Sequence, residues 1–310
     1  MRVLLTGAAG FIGSHVARRL VAYGHTVAAI VRPIGQRNRL AGIEDTITFL
    51  EADLSSADLH QIVETTAPEA CIHLAWHVDP TRYLTSVPDN LASLASSIRL
   101  LAVLDEARVS RIVLGGTCLE AGAGGEAGSD TIYAAAKTAL HEIGTRLERA
   151  PSACAHIHHV FGPEEKESRM VPSIIRSCLE GRPVSVSTGE QVRDFLHVED
   201  VASALVSVLE SDETGQVDIC SGEPTRLRQV FEVIGEATGR RDLIEIGGRP
   251  KQPNDLAAVV GDPGRLHATG WSPRWTLTAG IADTVAFWRS QVADDVGPHH
   301  STHDALPGSP

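Results

Sequence analysis

Lysine is nearly missing from this sequence: only Lys137, Lys166 and Lys251 occur in 310 residues. Aromatic residues are scarce too, at 4%. No apolar run reaches the roughly 18 residues of a membrane span, so no membrane association is expected. No Cys-x-x-Cys occurs, and the five cysteines (Cys71, Cys118, Cys154, Cys178, Cys220) are odd in number and far apart. That argues against a zinc ribbon or a disulfide framework and fits small buried thiols in a reducing compartment. From Met1 the chain runs straight into strand-like and glycine residues with no leader-like stretch, so a cytoplasmic protein is expected. A hydrophobic share of 43% and a charged share of 21% exclude wholesale disorder.

Acidic residues are missing from one informative place. Residues 1–43 hold no Asp or Glu but six arginines (Arg2, Arg18, Arg19, Arg32, Arg37, Arg39). They carry +6, so the rest of the chain carries −18 of the net −12. The acidic balance overall argues against nucleic acid as a partner.

What is present is an alternation. Val3–Leu5, Val27–Val31, Ile47–Leu50, Ala70–Ala75 and Ile112–Leu114 are apolar runs of strand length. Between them lie helical patterns: Ile12, Val16, Ala17 and Leu20 ahead of Gly24, and Leu91, Leu94, Ala95, Ile98, Leu101 and Leu104. Strands apolar on both faces, alternating with helices, predict an α/β fold with a doubly wound parallel sheet covered on both sides. After about residue 163 the chain changes character. Pro163, Pro172, Gly181, Pro183 and Gly189 punctuate short segments, helical patterns return at 201–210 and 226–238, and a last helix is expected at 278–290. The reading is a nucleotide-binding domain over 1–163, a smaller lobe over 164–290 and a disordered polar tail over 291–310.

Gly7-Ala8-Ala9-Gly10-Phe11-Ile12-Gly13 follows the first strand and opens the first helix. Gly7 suits the tight turn, Gly10 lets backbone approach a pyrophosphate, and Gly13 lets the helix lie close to the sheet. The free N–H groups and positive end of the helix then face the phosphates. The end of the second strand discriminates between the two nicotinamide dinucleotides, because a carboxylate there bonds the ribose 2′-OH and an arginine accepts a 2′-phosphate. Here it reads Ile30-Val31-Arg32-Pro33, and no carboxylate precedes Glu44. Arg32 therefore points to NADP(H), with NAD as the alternative.

Tyr133-Ala134-Ala135-Ala136-Lys137 places a phenol and an ammonium four residues apart, on one face of a helix. A nearby ammonium favours the phenolate, and such a Tyr can pass a proton to a carbonyl oxygen as hydride reaches the carbon. Thr117 follows a strand and Gly115-Gly116, where a hydroxyl can bond the same oxygen.

In combination these segments resemble the extended short-chain dehydrogenase/reductases, in the nucleotide-sugar epimerase, dehydratase and 4-ketoreductase branch. The resemblance rests on Thr6 to Gly13, His73-Leu74-Ala75, Asn90, Thr117 and Tyr133-x-x-x-Lys137. It continues in Phe161-Gly162-Pro163, Val171-Pro172, Gly181-x-Pro183, Arg193-Asp194-Phe195-x-His197-Val198-x-Asp200 and Gly270-Trp271-x-Pro273. It covers residues 1–290. It implies a Rossmann-like sheet that also receives the 193–220 segment, and a nucleotide-sugar-binding lobe. Thr117, Tyr133 and Lys137 would be catalytic. Gly7, Ala9, Gly10, Phe11, Ile12, Gly13, Arg32, Asp53, Leu54, Leu74 and Ala75, with Tyr133 and Lys137, would line the cofactor. Val171, Arg193 and Arg249 would face the substrate, arginine forking onto its diphosphate.

Departures from the pattern matter. Cys118-Leu119 stand where 4,6-dehydratases of the family carry Asp-Glu, which disfavours dehydration. His156-Ile157-His158-His159 replaces the usual Arg-x-x-Asn; its members alternate along a strand that the family uses structurally, and no metal is expected. The Gly-rich stretch between Thr117 and Tyr133 leaves the pocket shape open. The leading expectation is NADPH-dependent reduction of the C4 ketone of a nucleotide-linked, dTDP-type 4-keto-6-deoxysugar. A 4-epimerase holding NAD is the alternative, and a non-catalytic NADP-binding regulator comes third. A homodimer is expected through Leu91, Leu94, Ile98, Leu101, Leu140, Ile143 and Leu147.

Overall fold

The apolar runs become neighbouring strands. In the first half, β1 (Arg2–Thr6), β2 (Thr26–Val31), β3 (Ile47–Glu51), β4 (Ala70–His73), β5 (Arg111–Thr117) and β6 (Ser152–Ile157) alternate with helices. Those helices are α1 (Phe11–Ala22), α2 (Leu59–Thr66), α3 (Val87–Glu106) and α4 (Ile132–Gly144). Then come β7 (His159–Phe161), α5 (Met170–Leu179), β8 (Val184–Val186), β9 (Val192–Arg193), β10 (Phe195–His197), α6 (Val198–Glu210) and β11 (Gly215–Ile219). The chain closes with β12 (Thr225–Arg226), α7 (Leu227–Thr238), β13 (Ile244–Ile246), β14 (Ala258–Val259), α8 (Gly264–Ala268) and α9 (Leu277–Asp295). This computed structural model describes residues 1–33, 37–120, 130–250 and 256–295.

Seven strands form one parallel sheet in the order β11-β6-β5-β4-β1-β2-β3. The chain builds outward from β1 in one direction and then returns to build from β4 in the other. That reversal opens a crevice beyond the carboxyl ends of β1 and β4, where sheets of this kind take their ligands. Alternation along β1 shows why the strands read as unbroken apolar runs. Val3 and Leu5 join the core beneath α1 and α6, while Leu4 joins the core beneath α3.

The 193–220 segment crosses back into this architecture. Its α6 packs on α1, and β11 pairs with β6. α8 also packs on β11 and sends Leu266 into the core of the main sheet, while α5, α7 and α9 cover a separate core of Phe161, Ile174, Phe231, Ile281 and Trp288. The last helix runs to Asp295, five residues into the expected tail, because no Gly or Pro interrupts it before Gly297. Residues 296–310 lie outside the described part, as do Gly122, Gly124, Gly125 and Gly128 of the glycine-rich stretch.

α3 has the length and composition to cross a membrane, although no unbroken apolar run marks it in the sequence. Its Leu100, Leu101 and Leu104 are nevertheless buried in the core of the sheet. The expected dimer face narrows for the same reason. Leu101 and Leu140 are core residues, and Leu94 and Leu147 pack against that core. Leu91, Ile98 and Ile143 remain exposed on α3 and α4.

Candidate active site

The loop between β1 and α1 is shaped by contacts that exclude side chains. Gly7 has φ +75°, and a Cβ there would lie 2.8 Å from the Leu74 carbonyl carbon. A Cβ on Gly13 would lie 2.0 Å from the Gly7 oxygen. Gly10 caps α1 without a side chain, so the first turn's amides stay available for an external acceptor. The Thr6 hydroxyl accepts from the Leu74 and Ala75 amides at 3.2 and 3.1 Å and lies 2.7 Å from His73 Nδ1. His73 Nε2 in turn lies 2.8 Å from the Ser97 hydroxyl on α3. Burial, with help from the Lys137 charge, lowers His73 to about 3 and keeps it neutral. This chain of bonds fixes the two crevice-facing strand ends, Thr6 and Leu74–Ala75, against each other. Phe11 stands edge-on to His15 beside the loop, and Ala9 and Ile12 pack on the core.

At the end of β2, Arg32 is exposed. The carboxylates nearest in the sheet belong to β3 and its exit, and both have local partners. Glu51 pairs with Arg37, which lies over the Phe49 ring. Asp53 accepts from the Ser55 amide and hydroxyl, bonds that together with the Arg32 charge hold it below the usual range. The Leu54 carbonyl accepts from the Arg99 guanidinium, and its side chain packs on the core. Arg32 thus presents its guanidinium beside a carboxylate that is already bonded.

Tyr133 and Lys137 lie one turn apart on α4, whose Thr131 cap accepts from the Ala134 amide. Both are buried, at 8% and 6% exposure. Burial raises the Tyr133 phenol, and a hydrogen bond with Thr117 opposes it. Thr117, at the end of β5, therefore meets Tyr133 of α4. Lys137 Nζ donates to the Gly115 carbonyl at 2.6 Å. Burial lowers its ammonium to about 8, against the pull of Glu120 and Cys154. Two aromatic rings stand edge-on to Tyr133: Trp76 at 6.4 Å and Tyr83 at 5.1 Å between centroids. Trp76 Nε1 donates to Asn90 Oδ1, and Asn90 Nδ2 donates to the Tyr83 carbonyl. Sequence reasoning singled out Asn90 but not the rings it holds. Trp76 directly follows the Leu74-Ala75 pair and was the available signal.

Glu120, three residues after Thr117, turns inward. It accepts from the Thr117 amide at 2.7 Å and is 1% exposed. Burial alone would raise this carboxyl, yet its bonds to His141, His156 and Thr117 hold it at about 2.

The three expected substrate residues have different surroundings. Arg193 is buried close to Cys118, donating to the Val192 and Leu256 carbonyls. The neighbouring Asp194 is occupied by the Ser221 amide and hydroxyl and the Gly222 amide. Val171 lies in the core of the second lobe. Arg249 is exposed just beyond β8 and β13, its amide bonded to Val186 O.

A family model described as the NAD dependent epimerase/dehydratase family matches residues 3–220. The chain belongs to that family. Among its relatives, the UDP-glucose 4-epimerase of Mycolicibacterium smegmatis is 31% identical, covering 94% of this chain and 99% of its own. A GDP-6-deoxy-D-mannose reductase of Pseudomonas aeruginosa is 27% identical over 95% and 99%. The solved UDP-glucose 4-epimerase of Thermus thermophilus, in complex with NAD, superposes with a TM-score of 0.78 at 26% identity, covering 93% and 99%. These relatives are named for different reactions on nucleotide-linked sugars, an epimerisation and a reduction. The seven-stranded sheet and the Thr117–Tyr133–Lys137 grouping agree with membership; the particular reaction has to be argued from the site.

Proposed function

We propose that this protein reduces the C4 ketone of a nucleotide-linked, dTDP-type 4-keto-6-deoxysugar with NADPH. The observation carrying the reading is the convergence of Thr117, Tyr133 and Lys137 beside a glycine loop that a Cβ would fill. When bound, the reduced nicotinamide supplies the hydride. The uncapped start of α1 would hold the dinucleotide's phosphates, and Arg32 its 2′-phosphate. Tyr133 would give its proton to the C4 oxygen, with Thr117 bonding that oxygen. Lys137, held between Gly115 O and the Trp76 ring, would supply the positive charge that offsets the cost of leaving a phenolate in a buried place. Arg193 and Arg249 are proposed for the substrate diphosphate.

Dehydration fits less well. Neither Cys118 nor Leu119 can move the required proton, and Glu120 is engaged behind Thr117. A second reading, a 4-epimerase using NAD, is favoured by the 31% identity to the mycobacterial UDP-glucose 4-epimerase along almost the whole chain. Incubation with dTDP-4-keto-6-deoxyglucose and NADPH separates the two. One NADPH consumed per sugar supports the reductase. Interconversion of UDP-glucose and UDP-galactose without net cofactor change supports the epimerase and ends the reductase reading. We further propose a homodimer through the exposed Leu91, Ile98 and Ile143.

A further inference from the structure

Four metal-ligating side chains meet beneath the floor of the active site. Glu120 comes from the turn after β5, His141 from α4, and Cys154 and His156 from one face of β6. One ligand atom from each lies within 4.8 Å of all the others. His156 Nε2 stands 3.3 Å from His141 Nδ1 and 3.3 Å from Glu120 Oε2. His141 Nδ1 is 3.7 Å and Cys154 Sγ 4.0 Å from the same Glu120 oxygen. A tetrahedral ion with bonds of about 2.0–2.3 Å separates its ligand atoms by about 3.3–3.7 Å. The Glu–His–His face already has those edges, and the thiol completes the tetrahedron by a small approach.

The surroundings are those of a coordination sphere. Glu120 Oε1 is fixed by the Thr117 amide, which leaves Oε2 facing the cluster. His156 has Nε2 toward the cluster, while Nδ1, buried and without a hydrogen bond among the described residues, faces Asp218 Oδ1 at 3.6 Å. A carboxylate behind the far nitrogen is the usual support of a metal-bound histidine. A Cβ on Gly116 would lie within 2.6–2.9 Å of Glu120, Cys154 and His156, so this strand position leaves the ligands their room. A thiolate and a carboxylate balance a dication, and a donor set of one sulfur, two nitrogens and one oxygen selects against magnesium and calcium.

We infer that Glu120, His141, Cys154 and His156 form a closed, four-coordinate site for a zinc-type transition-metal ion. With all four positions taken by protein, the ion is structural. It ties the strand end carrying Thr117 to the helix carrying Tyr133 and Lys137, His141 being one turn beyond Lys137.

The test uses the full chain, stripped with a chelator and titrated with Co²⁺. The expected result is one ion per chain, with a thiolate-to-cobalt charge-transfer band and intense tetrahedral visible bands. Cys154→Ser removes the charge-transfer band. Asp218→Asn weakens binding about 10- to 100-fold, and His299→Ala with His300→Ala in the tail changes nothing. Should the Cys154 variant not fold, X-ray absorption of zinc-loaded wild type counts the ligands instead, with one sulfur and three N/O expected. Absence of stoichiometric binding, a six-coordinate shell without sulfur, or a signal lost with the tail histidines would each overturn the assignment.

Discussion

Lys137 holds its ammonium 4.0 Å from the centre of the Trp76 ring. The contact is enclosed, so the attraction between cation and ring is worth about 2 kcal/mol rather than the smaller value of an exposed pair. Trp76→Leu is expected to lower kcat at least tenfold while circular dichroism stays unchanged. A variant with wild-type kcat would remove Trp76 from the positioning of Lys137.

Tyr133→Phe keeps the ring contacts with Trp76 and Tyr83 and removes only the hydroxyl. Turnover should fall by about 10²–10⁴. Binding of the nicotinamide cofactor, read by fluorescence titration, should persist. Full activity in this variant would take Tyr133 out of proton transfer.

Arg32→Ala addresses cofactor choice. A charge-assisted hydrogen bond is worth about 1.5–3 kcal/mol, so NADPH affinity should drop about 10- to 100-fold while NADH affinity stays within a few-fold. Equal losses for both cofactors would sink the assignment of Arg32 to a 2′-phosphate.

Glu165 gives a pH-dependent stability. Burial raises its carboxyl to about 8, with Arg169 opposing only in part, and its Oε2 has no hydrogen-bond partner among the described residues. The folded state therefore holds a proton that the unfolded chain releases near the ordinary glutamate value. Stability from this group is full below that value and is lost as pH rises toward 8, by at most about 1.4 kcal/mol per pH unit. Glu165→Gln should match wild type in thermal unfolding at pH 4.5 and exceed it at pH 9. An unchanged difference across that range would mean Glu165 ionises freely in the folded protein.

The exposed Leu91, Ile98 and Ile143 make the dimer testable. Light scattering at assay concentration should give twice the chain mass, and Leu91→Asp with Ile98→Asp should shift it toward the monomer. A monomeric wild type would end the proposal.

The parallel sheet was legible because both faces are covered. Val3, Leu4 and Leu5 all had to be apolar, and the glycines at 7 and 13 mark contacts no side chain permits. Tyr133 and Lys137 were legible because helical spacing alone sets them together. The cluster behind them was not. Cys154 and His156 share a strand face, a period-two signal, but His141 and Glu120 reach them only through the pairing of β5 with β6 and the packing of α4. The expected single strand over 156–159 is in fact broken at His158, with β6 ending at Ile157 and β7 starting at His159 in another sheet, and a coordination sphere is a property of several elements at once. Arg193 illustrates the opposite limit. Its motif was visible, but its inward turn onto the Val192 and Leu256 carbonyls depends on a segment more than sixty residues later.

β11 has a consequence for how this molecule can be divided. The strand that completes the sheet beside β6 is made only after the chain has left for the second lobe and come back. A fragment ending at residue 163 would expose β6 as a bare edge and strip α6 from α1, leaving apolar surface open on one face. The dinucleotide half is therefore not a detachable module. Its closure waits on synthesis of the residues that lie beyond the first part of the second lobe, so the two halves must mature together.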